Sequence, residues 1–73
     1  MATLTPAQYD QLERAVTRGQ RLAISRRGGT QHIVIPIRFS VSGNRETIEA
    51  RHPSTGDEMI FHVDDIDWFE VVR

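Results

Sequence analysis

Arg26 and Arg27 stand directly before Gly28-Gly29, a pair of guanidiniums beside a flexible turn. Guanidinium is a planar fork that matches the oxygens of phosphate and carboxylate, so this tip is a candidate anion contact. Arg38 and Arg45 are candidates for the same side, and the four together form a candidate anion or nucleic-acid site. A second cluster follows near the C-terminal end, where Asp64, Asp65 and Asp67 precede Trp68. Its spacing lacks the glycine and distal glutamate of a calcium loop, so solvation and capping of a corner is the plain reading. With the neighbouring tryptophan, the cluster is a candidate protein-contact edge.

The other chemistry-bearing residues define no reaction. His32, His52 and His62 do not stand at metal-ligand spacing, and there is no cysteine, so no metal site is expected. No nucleophile elbow, Ser/His/Asp set, phosphate loop or dinucleotide loop is present. Neither a catalytic residue nor a cofactor is expected, and a non-enzymatic protein is.

All nine basic side chains are arginine, for which codon usage is the ordinary explanation. Net charge is only -1, yet it is unevenly placed. Residues 1–45 hold seven arginines against Asp10 and Glu13, a balance of +5. Residues 46–73 hold two arginines against eight acids, a balance of -6. Nucleic-acid binders generally show basic excess and exposed aromatics, and this chain has neither.

Seventy-three residues make one domain, 1–73, with a thin margin of stability that oligomerisation often widens. The absence of cysteine, of a signal-peptide start and of any membrane-length apolar run leads to an expected cytoplasmic location without membrane contact.

The elements that must position these residues begin with a helix over about 6–18. Thr5 caps it, Pro6 opens it and Gln8 completes a capping box. Leu4 and Tyr9 are placed for a hydrophobic staple. Tyr9, Leu12, Ala15 and Val16 form its apolar stripe, and Gly19 ends it.

Strands over about 21–72 come next. Residues 21–27 carry Leu22 and Ile24 on one face, and Gly28-Gly29 reads as a two-residue turn. From Ile33 to Val41 every odd position is apolar, so Ile33, Ile35, Ile37, Phe39 and Val41 are expected to face the core. Further strands run through Ile48 and Ala50, through Met59, Phe61 and Val63, and over 67–72.

The turns fix a register. Ile24 is expected opposite Ile33, Leu22 opposite Ile35, and His32 opposite Ser25. Phe39 is expected opposite Ile48, Ile37 opposite Ala50, Ala50 opposite Met59, and Ile48 opposite Phe61. Pro36 cannot donate to a ladder, so a bend or bulge is expected there. Trp68 and Phe69 are adjacent on one strand, so one enters the core and the other lies beneath the helix or in solvent. The sum is a mainly β fold: a five-stranded antiparallel barrel of SH3/Sm-like type with one N-terminal helix.

Leu12-x-x-Ala15-Val16, Leu22-x-Ile24, Ile35-Pro36-Ile37-Arg38-Phe39 and Phe61-x-Val63-Asp64-x-Ile66 together resemble the skeleton of WYL domains. The resemblance implies an Sm-like barrel, a setting in bacterial transcription regulation or defence, and nucleotide or nucleic-acid ligands. Thr47-Ile48 stands where that family has its aromatic pair and Asp65 where it has an arginine, so its basic ligand residues do not carry over. Tyr9-Asp10-x-Leu12-Glu13-x-Ala15 and Val63-Asp64-x-Ile66 also resemble the small Rho-inhibiting (Rof-like) proteins. That likeness implies acidic barrels that block a helicase through protein contacts.

The expected function is a bacterial regulatory interaction module working through protein contacts at the acidic half or the Trp68 edge. Two alternatives are nucleic-acid or nucleotide binding through the arginines, and a homo-oligomer completed by edge strands.

Overall fold

A computed structural model describes residues 4–72. Helix α1 (Pro6–Arg18) leads into β1 (Arg21–Arg26), β2 (Gln31–Ser42), β3 (Arg45–Arg51) and β4 (Glu58–His62). A single 3₁₀ turn (Val63–Asp65) then precedes β5 (Ile66–Val72). All pairings are antiparallel, in the order β4-β3-β2-β1-β5. The mainly β class with one helix and five antiparallel strands is as expected. Among the described residues no ladder joins the edge strands β4 and β5, so hydrogen-bonded strands do not close the sheet into a barrel.

Helix α1 is fixed by both of its ends. The Gln8 N–H donates to Thr5 Oγ1 at 3.2 Å and the Thr5 N–H to Gln8 Oε1 at 2.8 Å. Such a cap contributes about 1 kcal/mol. At the other end Gly19 takes a φ of 65°, and the Gln20 N–H reaches the Ala15 carbonyl at 2.9 Å. That left-handed residue satisfies carbonyls the helix leaves open. Leu12 and Ala15 are fully buried, and Leu4 joins the same core. The Tyr9 ring stands edge-on to Phe39 with centroids 5.2 Å apart, while its hydroxyl donates to the Glu46 carboxylate. These contacts seat α1 on β2.

Strand β2 departs from its expected register. The Arg26 N–H donates to the Thr30 carbonyl at 2.7 Å and the Gly29 N–H to the Arg26 carbonyl at 3.0 Å. The connection is therefore the three residues Arg27-Gly28-Gly29, with φ near 95° at both glycines. An odd loop length shifts the pairing by one residue. Leu22 pairs with Val34, Ala23 with Ile33 and Ile24 with His32, so Ile24–Ile33, Leu22–Ile35 and Ser25–His32 are not formed.

The bulge at Pro36 is present, and it restores the phase. Pro36 pairs with Ala50, Arg38 with Glu49, and Ile37 between them has no partner in the ladder. Ile37 therefore does not meet Ala50. Upstream of it the even positions Val34 and Pro36 are buried; downstream the odd position Phe39 packs on the core opposite Ile48. Ile33 and Ile37, expected inside, are each 42% exposed, and Ile35 is half-buried. Val41 keeps the inward phase of Phe39 but lies past the end of the core and is exposed. The β3–β4 register is as expected, with Ala50 opposite Met59 and Ile48 opposite Phe61.

The core gathers Leu22, Ile24, Val34, Ile48, Phe61, Val63 and Ile66 beneath α1. Each such side chain contributes about 1.5–3 kcal/mol by leaving water. Val34→Ala should therefore lower the unfolding free energy by about 1.5–3 kcal/mol, and Ile33→Ala by about 0.5 kcal/mol or less. Urea denaturation of the two variants measures this, and the reverse ranking would return Ile33 to the core.

Candidate interaction surface

The one-residue shift builds a surface. On the outer face of β2, β1 and β5, Ile33 stands beside Ala23 and Ala23 beside Glu70; one step along, Gln31, Ser25 and Trp68 form the next row. Arg21 pairs with Val72 in the row before. Ala23 and Ser25 are only 3% and 8% exposed although they face outward, because bulkier neighbours on both sides cover them. Over the small side chains of central β1 lie Ile33 from one side and Trp68 (43% exposed) and Val72 from the other. Phe69, the neighbour of Trp68, turns inward and packs against the core. Exposed apolar groups gathered on one formed sheet are the usual mark of a docking surface.

The four arginines do not share a face. The Arg26 guanidinium carbon lies 4.6 Å from the Phe61 ring centroid, and its Nη2 donates to the Ile60 carbonyl at 3.3 Å. Arg27 donates through Nη2 to the Asp64 carbonyl at 2.9 Å and through its backbone N–H to the Asp65 carbonyl at 2.7 Å. Both tie the β1 end of the sheet to the β4–β5 corner. Arg45 is exposed at the opposite end of β2, next to the Gly43-Asn44 turn.

Arg38 is exposed and forms an ion pair with Glu49, including Nη2 to Oε1 at 3.3 Å. Hydrogen bonding to Arg38 holds the Glu49 carboxyl below the usual carboxylate range, and the same bond raises the Arg38 guanidinium. Because the Glu49 value is lowered by folding, the pair's contribution is present above the ordinary carboxylate range and fades as pH falls through the lowered value. These two side chains, with Ile37, Arg51 and Glu58, line a shallow cleft of about 330 Å³ whose charges are mixed in sign.

The acidic residues and Trp68 do come together. Asp64 and Asp65 sit in the 3₁₀ turn with exposed carboxylates, and only their carbonyls meet Arg27. Asp67 is the extra residue of a bulge in β5, between Ile66 opposite Arg26 and Trp68 opposite Ser25. The basic and acidic halves therefore meet at this corner, because acidic β5 is hydrogen-bonded to basic β1.

The histidines lie in three settings. His52 Nδ1 accepts from the Ser54 and Thr55 N–H groups at 3.1 and 3.2 Å and organises the 53–56 loop. The His32 ring packs against Phe61 at 5.6 Å, with Nε2 buried and unpartnered, and His62 Nδ1 is likewise buried without a partner. Among the described residues no group of three or more His, Asp or Glu is placed to hold a metal ion. No helix among them is long and apolar enough to cross a membrane.

Sequence reasoning missed Ile33 and Val72 as surface groups. The signal that finds them is parity: Val34 and Pro36 are apolar even positions directly before the bulge, and Ala23 and Ser25 are small on the alternate face of β1.

No protein-family model matches the chain, and no curated protein matches it. A solved structure does, Proteasome accessory factor B/C (PafBC) of Arthrobacter aurescens, with a TM-score of 0.76 and 19% identity. The alignment covers 94% of this chain and 12% of that one. The likeness supports the WYL-like fold that the apolar skeleton resembles, and at this identity it speaks for the fold alone.

Two measurements check the site. In Arg38→Gln the Glu49 carboxyl should titrate higher than in the parent chain, read by NMR. Arg26→Ala should lower the unfolding free energy by about 1–2 kcal/mol through the lost ring and carbonyl contacts, with little sensitivity to salt. A neutral effect would release Arg26 for ligand contact.

Proposed function

We propose that this chain is a cytoplasmic, non-enzymatic interaction module of a bacterial regulatory protein, acting through protein contacts at the face around Trp68. The observation that carries the reading is the exposure of Ile33, Trp68 and Val72 together on the outer face of a hydrogen-bonded sheet. Aromatic anchors beside small residues are how protein interfaces gather their energy, and the exposed carboxylates of Asp64, Asp65 and Asp67 supply a polar rim. The fold's occurrence as 12% of a proteasome accessory factor is in keeping with a module that serves a larger assembly. Arg26, Arg27 and Arg38 are engaged within the chain, which weighs against an arginine face for nucleic acid.

The test pairs two titrations. Fluorescence anisotropy with short single-stranded RNA and DNA should stay flat at low and moderate salt. A partner captured with the intact chain, then purified, should bind it in calorimetry and lose that binding to Trp68→Ser. Salt-sensitive saturation by nucleic acid that collapses in Arg26→Ala/Arg27→Ala would replace this reading with the arginine one.

A further inference from the structure

We propose that Arg14 and Arg18 bind a dianionic phosphate group, free or at the end of a small ester, in a cleft between α1 and β5. The cleft holds about 330 Å³, and its walls are Gln11, Arg14, Arg18, Gln20 and Val71. Two guanidiniums and two carboxamides with no carboxylate make it rich in N–H donors and positive in charge. Val71 packs toward the core, so the cleft opens on the helix side of the sheet, opposite Trp68. The site is therefore independent of the docking role given to that face.

Both arginines are free to take a ligand. Among the described residues neither makes an ion pair or a side-chain hydrogen bond, in contrast to Arg26, Arg27 and Arg38. Arg18 stands in the last turn of α1, where an arginine commonly bonds the open carbonyls. Here the Gly19 cap has taken them: the Gln20 N–H donates to the Ala15 carbonyl at 2.9 Å and the Gly19 N–H to the Val16 carbonyl at 3.4 Å. The same cap fixes the backbone of half-buried Gln20, so one wall of the cleft is rigid. Four residues separate Arg14 from Arg18, which sets their Cβ atoms about 5–6 Å apart on one face. Two forks at that spacing can close on a single anion.

Shape selects phosphate over carboxylate. A carboxylate is planar and offers one edge, which a single guanidinium fills. A terminal phosphate is tetrahedral, and its three free oxygens serve both forks at once. Charge selects in the same direction. Asp10 and Glu13 line an adjoining cleft with the same two arginines, so any ligand competes with those carboxylates. A phosphate monoester brings nearly two negative charges at neutral pH and prevails, whereas a lone carboxylate only equals its competitor. The phosphate of a nucleic-acid backbone is a monoanion with two free oxygens and is the wrong group. Val71 is the one apolar residue of the lining, so the cleft reads the phosphate and not its carrier.

NMR titration of the isotopically labelled chain tests this residue by residue. Inorganic phosphate and glycerol 3-phosphate should shift the Arg14 and Arg18 Nε–Hε signals and the Gln11 and Gln20 side-chain amides, with half-saturation at about 1 mM. Arg45, exposed beside the Gly43-Asn44 turn, should not respond. Arg14→Gln and Arg18→Gln should each weaken binding about tenfold, and Asp10→Asn with Glu13→Gln should tighten it about threefold. The backbone amide spectrum of each variant checks that the fold is kept. Acetate and dimethyl phosphate at matched ionic strength should leave the site's signals in place.

The absence of a saturable shift overturns the inference. So does a response that Arg45 shares, or one that acetate or dimethyl phosphate reproduces, since the cleft then holds ordinary solvated cations. A response to glycerol 3-phosphate alone supports the site and makes the ester its ligand; a response to inorganic phosphate alone supports it with the free ion as the ligand.

Discussion

Strand β2 belongs to both halves of the sheet, pairing with β1 through its first residues and with β3 through its last. A strand that serves two sheets has to bend, and a ladder bends most readily where one residue is left unpaired. Ile37 is that residue. Pro36, with no N–H to offer, makes the interruption inexpensive, and its ring is fully buried. Everything outside the helix takes its orientation from this point, because the phase of burial reverses across it. The three-residue turn before β2 and the bulge within it are therefore one device: either alone would turn half of the strand's core residues to water.

That device marks the limit of what could be read from the residues. The helix was legible to its ends, since Thr5, Gln8 and Gly19 are local signals whose chemistry acts over three or four residues. The β3 and β4 pairing was legible because Gly43-Asn44 and the 53–56 loop leave a single register that buries Ile48 and Phe61 together. The first hairpin was ambiguous. Pairing Leu22 and Ile24 with Ile35 and Ile33 buries more methyl groups than pairing them with Val34 and His32, so apolar matching points to the register that does not form. Loop length decides, and the sequence Arg27-Gly28-Gly29-Thr30 suits both lengths. The bend at Pro36 was foreseen, whereas the reversal it imposes on the alternation was not. Five odd-numbered apolar positions look like one face only on an uninterrupted strand.

The arginines were misleading for a related reason. As sequence, Arg26 and Arg27 beside two glycines describe a mobile cationic tip. In the fold that tip is pressed against the far end of the chain, where carbonyls of Ile60, Asp64 and Asp65 need donors and Phe61 offers a ring face. Among the described residues no strand ladder links β4 to β5, so these side chains and one backbone N–H hold the seam that pairing leaves open. The exposed apolar groups Ile33, Trp68 and Val72 lie on the outer face of β1 and its neighbours.

The hydrogen bonding of β1 to β5 brings the first strand of the sheet against the last, across some forty residues of chain. As the polypeptide leaves the ribosome, α1 and the hairpins can form in order from contacts close in sequence. β1 must wait, one edge open, until Ile66–Val72 is available, and closing so long a loop is slow compared with making a hairpin. During that interval Leu22 and Ile24 lack their partners Val71 and Phe69, and the nascent domain is most exposed to misassociation. The order of synthesis thus makes the final strand the step that commits the domain to its fold.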